Sequence, residues 1–271
     1  MLGDASHGVP EHAPFDRIIV TAGAWDIPPA WTEQLTEDGR IVVPLRLRGL
    51  TRSVAFDREG HRLVSRDYRL CAFVPMQGAD AHSEQVIALG EGRVSLLIDT
   101  GQPVDADGLR KALLGPRIER WGGMEFGDGE PLHDLDLWIA TTADGFGLVK
   151  ATKEAVDSGL ASRSALYGGK AIVAGGSFAY RASVRPINES RTKFEFGAYA
   201  HGPDSERLAE EYIGHIRIWN RDHRGGPGHA SRCFPQPPPT PNSPPEGSST
   251  RTTPGSSSPG PDGRTVGPET P

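Results

Sequence analysis

The residues whose types and spacing could do chemistry fall in separate stretches of the chain. Thr21, Ala22, Gly23 and Ala24 are small residues placed directly after the apolar, β-branched Ile18, Ile19 and Val20. That run predicts a strand over 15–22 buried on both faces, as in a parallel sheet. The carboxyl end of a parallel strand is where open α/β sheets hold their ligands. Arg46, Arg48 and Arg52 form a local cationic cluster able to meet an acidic peptide, in a chain whose net charge is −6. Asp134 and Asp136 flank Leu135 in what reads as a strand over 135–141. Two carboxylates on one strand face could serve acid/base work or hold a cation, or simply mark a hydrated strand start.

Other motifs carry less. His7 and His12 sit in a polar loop at a spacing that fits no usual ligand pair, and no metal is expected. Gly168-Gly169-Lys170 is not a phosphate-binding loop, because the preceding glycine is missing and Ala171 stands where Ser or Thr is needed. Trp121 with Gly122 and Gly123 reads as a packing residue at a turn. Cys71 and Cys233 are the only cysteines, which supports neither a disulfide framework nor a cysteine-rich metal site. The negative charge argues against nonspecific nucleic-acid binding. No apolar run reaches about 18 residues and no basic start precedes an apolar core, so no membrane partner is expected and the expected address is cytoplasmic.

The elements that must position these residues follow from periodicity. After the first strand, Pro28 and Pro29 suit a turn and a helix start, and a short helix over 30–35 is expected to close at Asp38-Gly39. Strands are predicted over 41–45, 53–57 and 68–74, with 57–60 as a hairpin turn. A second unit begins near Glu84, with strands over 94–98, 146–150, 170–174, 177–184 and 193–201. Its helices are predicted over 105–114 and 204–219. Beyond Arg224 the composition turns to Pro, Ser, Gly and Thr. Such a stretch cannot repay the entropy of ordering and is expected to be disordered from about His223 to Pro271. Its Pro-rich run reads as a polyproline II partner site, an unstructured extension or the product of a reading-frame shift. The domain expectation is 1–84, 85–222 and 223–271.

The first of these units resembles the protein-L-isoaspartate O-methyltransferases. That family has a G-D-G loop, an A-P-[YF]-D-x-I-x-V-T-A strand, a helix ending Q-L, and G-G-R-[LI]-V-x-P. Here the corresponding residues are G-D-A at 3–5, A-P-F-D-R-I-I-V-T-A at 13–22, Gln34-Leu35, and D-G-R-I-V-V-P at 38–44. The strings G-A-W-D-I-P-P-A-W at 23–31, P-L-R-L-R-G-L-T-R-S at 44–53 and F-V-P-M-Q-G at 73–78 look more narrowly like the branch associated with FxLD-type lanthipeptide clusters. The resemblance runs to about Arg224.

What the resemblance implies is an α/β fold: the C-terminal half of a Rossmann-like S-adenosylmethionine methyltransferase domain, followed by an α+β accessory domain and a disordered tail. Asp4, Ala5 and Gln77 would lie at the cofactor, with Asp4 either accepting from the adenine amine or remaining a solvated turn aspartate. Thr21 and Gly23 would form the floor where a carboxylate meets the donated methyl, with Thr21 and the backbone amides after it holding the carboxylate. Arg46, Arg48 and Arg52 would hold a peptide or protein substrate bearing Asp or isoAsp, in the narrower branch a lanthipeptide precursor. The family's Gly-rich turn and ribose-binding acidic residue would precede Gly3, and Ala5 replaces a glycine. A truncated member is therefore expected, binding the donor weakly or not at all, with a non-catalytic peptide-binding remnant and one half of a split enzyme as the other readings.

Overall fold

The computed structural model describes residues 3–76, 84–225 and 232–233. Strand β1 (Phe15–Ile19) runs parallel to β2 (Leu35–Leu47), with Ile18 opposite Ile41 and Ile19 opposite Val42. Helix α1 (Pro29–Glu33) makes the crossover, with proline at its start, where no amide hydrogen is needed. Strands β3 (Leu50–Glu59) and β4 (Arg62–Leu70) continue the sheet antiparallel in the order β1-β2-β3-β4. Inward-facing Leu35, Ile41, Val43, Phe56 and Leu63 alternate with outward residues and pack on Trp31 and Ala24. Each such large side chain contributes about 1.5–3 kcal/mol by burial.

The β2–β3 turn is two residues, Arg48 (φ 49°) and Gly49 (φ 79°). Both sit in the left-handed region that a tight hairpin needs. A Cβ on Gly49 would stand 2.6 Å from Leu148 Cδ1, so the turn lies directly on the second sheet.

The second sheet holds β5 (Glu84–Leu89), β6 (Val94–Asp99), β7 (Arg117–Gly127), β8 (Phe146–Ala151), β9 (Gly169–Ala174), β10 (Ser177–Arg181), β11 (Arg185–Pro186) and β12 (Lys193–His201). Its pairings are antiparallel, in the order β11-β12-β10-β9-β8-β6-β5 with β7 also on β12. Helices α3 (His133–Thr142) and α5 (Ser205–Asp222) share one core with Phe126, Phe146 and Phe196. Helix α2 (Ala106–Leu114) and the short α4 (Lys153–Asp157) cover the other core, around Leu96, Phe178 and Tyr180. The described residues thus form a mixed α/β protein of two sheets within a compact unit bounded at Met1 and Pro235.

Several expectations are corrected. Strand β1 is not buried on both faces: it pairs only with β2 among the described residues, and Ile19 is 74% exposed. Asp38-Gly39 does not close the helix but lies in β2, at an irregularity that pairs Phe15 with Leu35 and Arg17 with Arg40. The β3–β4 turn falls at Gly60 and His61, which leaves Asp57 in the strand, paired with Arg40 and Arg66. Residues 135–141 are helix, not strand. The Asp-Leu-Asp-Leu alternation mimics a strand, but Leu135, Ile139, Ala140 and Ala143 are the buried set, a helical spacing. Trp121 to Gly123 lie inside β7 at a bulge. His223 to Gly225 are described, and Arg224 pairs with Glu130 at the end of α5. Arg232–Cys233 form a two-residue strand, β13, on β4. The rest of the Pro/Ser/Gly-rich stretch lies outside the described residues, as does Gln77.

Inside the α3–α5 core, Asp136 pairs with Arg181 and with Lys170 Nζ at 3.3 Å. Burial pushes the Asp136 carboxyl up, but Arg181 and Lys170 beside it outweigh burial and hold it below the ordinary carboxylate range. Its stabilising share is therefore present above the unfolded carboxyl value of about 3.9 and is lost as the pH falls through the lower folded value. Asp136→Ala, which strands the buried Arg181 and the largely buried Lys170, is expected to cost about 3–5 kcal/mol in urea unfolding at neutral pH. The deficit against the wild type should shrink in strongly acidic solution.

Candidate functional site

Two cavities flank the loop that leaves the carboxyl end of β1. The first, about 390 Å³, is a cleft over β1 and is lined by Ala5, Val9, Ile18, Thr21, Trp31 and Met76 among others. Its rim is a short 3-10 turn, Ala5–His7, capped by Asp4, whose carboxylate accepts from Ser6 N at 2.9 Å. Those hydrogen bonds from Ser6 hold the exposed Asp4 carboxyl below its usual range. The turn is tied to α1 by Trp31 Nε1, which donates to the Ala5 carbonyl at 2.7 Å, and by Gln34, which accepts from Val9 N and donates to the His7 carbonyl.

Thr21 is exposed on this cleft. The amides that follow are largely committed: Gly23 N donates to the Val74 carbonyl and Ala24 N to the Pro44 carbonyl, each at 2.8 Å. The expected row of carboxylate-holding amides is thereby reduced to the Thr21 hydroxyl and the Ala22 amide, which has no backbone acceptor among the described residues. Gly23 is buried and does not floor the cleft. A Cβ there would meet Arg46 Cδ at 3.1 Å and Arg46 Cγ at 3.3 Å, on the side of the second cavity.

The second cavity, about 310 Å³, opens between the first sheet and α3. Trp25, Asp26 and Ile27 line one side, Arg46, Arg52, Phe56 and Tyr68 the sheet side, and Leu137 and Thr141 of α3 the other. The Arg46 guanidinium carbon lies 4.6 Å from the Trp25 ring centroid, a cation–π contact. Arg46 also faces Glu84 at 3.6 Å. Arg52 is 6% exposed and donates to the carbonyls of Thr51 and His133, each at 3.0 Å. Burial lowers its pKa, opposed by the fields of Asp136, Tyr68 and Asp134. Tyr68 donates to Asp134 at 2.7 Å, and burial together with that carboxylate pushes its phenol up.

The structure therefore divides the residues singled out from the sequence. Ala5 and Thr21 share the cleft, with Asp4 at its rim; Arg46 and Arg52 share the second cavity. Arg48 joins neither. Its guanidinium donates to the carbonyls of Ala140 and Ala143 at the carboxyl end of α3 and lies 3.4 Å from Asp99. Asp134 and Asp136 do not act together either, since one bonds Tyr68 and the other pairs with Lys170 and Arg181. Sequence reasoning missed Trp25 and Tyr68. The signal for Trp25 was its place directly after the small-residue loop; Tyr68 gave none, since its role depends on α3 crossing above β4.

Residues 1–81 match the model of a family described as protein-L-isoaspartate(D-aspartate) O-methyltransferase. A protein-L-isoaspartate O-methyltransferase of Chlorobium phaeovibrioides is 42% identical over 84 residues, which cover 31% of this chain and 37% of that protein. One of Methanopyrus kandleri is 38% identical over 85 residues, 31% and 38% of the two chains. One of Hyperthermus butylicus is 45% identical over 80 residues, 29% and 33%. The aligned segments thus span from 33% to 38% of these curated relatives. A solved protein-L-isoaspartate O-methyltransferase aligns over 79% of this chain and 51% of its own, at 20% identity and a TM-score of 0.29. The matched residues hold β1 to β4, the rim turn and the loop between the cavities.

Gly23→Val is expected to act on the second cavity. Its branched side chain forces Arg46 off Trp25, so tryptophan fluorescence should shift while the far-ultraviolet circular dichroism is unchanged. Gly23→Ala, which needs only a few tenths of an ångström from a flexible arginine, should leave both spectra at wild type.

Proposed function

We propose that the chain supplies the acceptor side of an S-adenosylmethionine-dependent protein carboxyl O-methyltransferase acting on Asp or isoAsp in a peptide. The observation that carries the reading is the exposed Thr21 hydroxyl on a cleft at the carboxyl end of a parallel strand, within residues that match the protein-L-isoaspartate O-methyltransferase family. The family's cofactor fits the cleft in one respect: apolar Val9, Ile18 and Met76 suit a nucleoside face, and the Asp4 carboxylate keeps accepting capacity beyond its bond from Ser6. When bound, S-adenosylmethionine supplies an electrophilic methyl group.

An acceptor carboxylate is already ionised at neutral pH, so this chain's residues need no general base. Thr21 and the Ala22 amide orient the carboxylate, and Ile18 and Met76 keep water from the same space. The finer reading is that the acceptor is a ribosomally made lanthipeptide precursor, carried by the strings at 23–31, 44–53 and 73–76 within the described residues.

A second reading, one half of a split enzyme, is favoured by one observation. The far edge of β1 has no partner strand among the described residues and carries exposed Ile19. Such an edge is a template for a further strand, here one from another polypeptide.

The test uses an isoaspartyl peptide and mass spectrometry, with this chain alone and with the part of the Chlorobium phaeovibrioides relative that lies outside the matched residues. Addition of that part is expected to yield one methyl on a carboxylate, followed by loss of methanol as the succinimide closes. Thr21→Ala should lower kcat/KM about tenfold or more, the worth of a hydrogen bond to a charged group. Ile19→Lys should leave the stability of this chain within about 0.5 kcal/mol yet prevent the gain. Methylation confined to hydroxyl or amine groups would overturn the carboxyl assignment, and full turnover by this chain alone, unchanged in Ile19→Lys, would overturn the split reading.

A further inference from the structure

We infer that the cavity between the first sheet and α3 is a binding site for a carboxylate carried on an apolar body, an acidic residue next to a large apolar one in a peptide substrate. The inference extends the acceptor reading, which it needs only for the biological role of the ligand. The site lies outside the β1 cleft and is built from two parts of the chain. Trp25, Arg46, Arg52 and Tyr68 fall within the residues matched to the family, whereas Leu137 and Thr141 of α3 lie beyond them.

Charge and surface decide the ligand class. The walls are mainly apolar and aromatic: Trp25, Ile27, Leu45, Val54, Phe56 and Leu137. Against them stand two guanidinium groups. Arg52 has no carboxylate within 4.0 Å among the described residues; two of its hydrogens go to backbone carbonyls, and its buried Nε has no hydrogen-bond partner, so neither its donors nor its charge are fully met. Arg46 is spread over the Trp25 face and reaches Glu84 only at 3.6 Å. The acidic groups around the cavity are Asp26 on its lining, whose carboxylate accepts from Ile27 N, Glu84 behind Arg46, and Asp134, held by Tyr68. Asp136, which also acts on Arg52, is spent on Lys170 and Arg181.

A cation with so little direct pairing beside apolar walls gains from an anion that brings its own apolar body, because both parts of the ligand leave water at once. A neutral apolar ligand would satisfy only the walls. A small inorganic anion would satisfy only the arginines.

The position of the site fits the proposed chemistry. Thr21 and Ala22 line the cleft, and Trp25 and Asp26 line the cavity, on one continuous loop. A peptide residue anchored at Arg46 and Trp25 would therefore leave its neighbours close to the loop that presents Thr21. Gly23 is the joint between the two, buried against Arg46.

The experiment is calorimetric titration of the full chain, with no methyl donor present, so that a failure of methyl transfer leaves the result readable. The probes are 3-phenylpropanoate and its amide, and the blocked peptides Ac-Ala-Phe-Asp-Ala-NH2 and Ac-Ala-Phe-Asn-Ala-NH2. Each acid is expected to bind at least about tenfold more tightly than its amide, the charge-assisted contact being the difference, and the Asp peptide at least as tightly as the small acid. Arg46→Gln should erase the preference for acid over amide. Arg52→Gln risks the fold, because it removes the bonds to Thr51 and His133, so Thr141→Trp is the independent variant: it fills the α3 side without replacing either arginine and should abolish binding of all the probes. Equal binding of acid and amide, absence of binding by both, or acid binding unchanged in both Arg46→Gln and Thr141→Trp would overturn the site. Binding of the small acid without the Asp peptide would overturn its assignment to a peptide.

Discussion

Helix α3 is held against the first sheet by two arginines of one hairpin, and the geometry of the second cavity depends on that clamp. Arg52 donates to the His133 carbonyl at the start of the helix, and Arg48 donates to the Ala140 and Ala143 carbonyls at its end. At the carboxyl end the last carbonyls have no partners within the helix and carry the negative end of its dipole, so Arg48 supplies both hydrogen bonds and a favourable charge there, whereas Arg52 at the amino end supplies a hydrogen bond only. Tyr68 adds a bond to Asp134 in the first turn. The cavity is the space left along the middle of the helix, between its two fixed ends.

The same clamp separates roles that one cationic cluster would otherwise share. Arg48 is consumed in docking. Arg52 is half consumed, with one hydrogen on each of two carbonyls, its Nε without a partner and its charge uncompensated by direct pairing among the described residues. Arg46, two residues before Arg48, is left to Trp25 and Glu84. The tight turn at Arg48-Gly49 is what lets the hairpin reach α3, since its glycine takes a positive φ and packs on Leu148, which a Cβ would crowd at 2.6 Å.

The β1 cleft follows a different logic. Strand β1 contributes little to a core, with Asp16, Arg17 and Ile19 exposed, and its value lies in where it ends. The amides after it are pinned by Val74 and Pro44, which makes the loop rigid and fixes the direction in which Thr21 leaves it. A rigid loop at a strand end positions a polar group more precisely than a free one. The rim turn held by Trp31 and Gln34 closes the other side.

Much of this was legible in the sequence where local pattern and local chemistry agree. Strands β1 to β3, the proline-started α1, the helices α2 and α5 and most strands of the second sheet follow from apolar periodicity and caps, which act over a few residues, whereas the strand expected over 68–74 lies at Arg62–Leu70. The candidate loop at Thr21 was equally legible, because small residues after an apolar run mark a strand end. What the tertiary structure decided is everything that depends on elements distant in sequence meeting. Whether Ile19 is covered depends on a neighbouring strand, not on its own apolarity. Whether 135–141 alternates as a strand or turns as a helix depends on which of its leucines meet α5. Arg46, Arg48 and Arg52 look equivalent in sequence, because charge and spacing are all that sequence records. Arg48 and Arg52 were claimed by α3, some 80 to 95 residues further on, and Arg46 by Trp25 and Glu84, since a guanidinium takes the role of whichever acceptor the fold brings within reach.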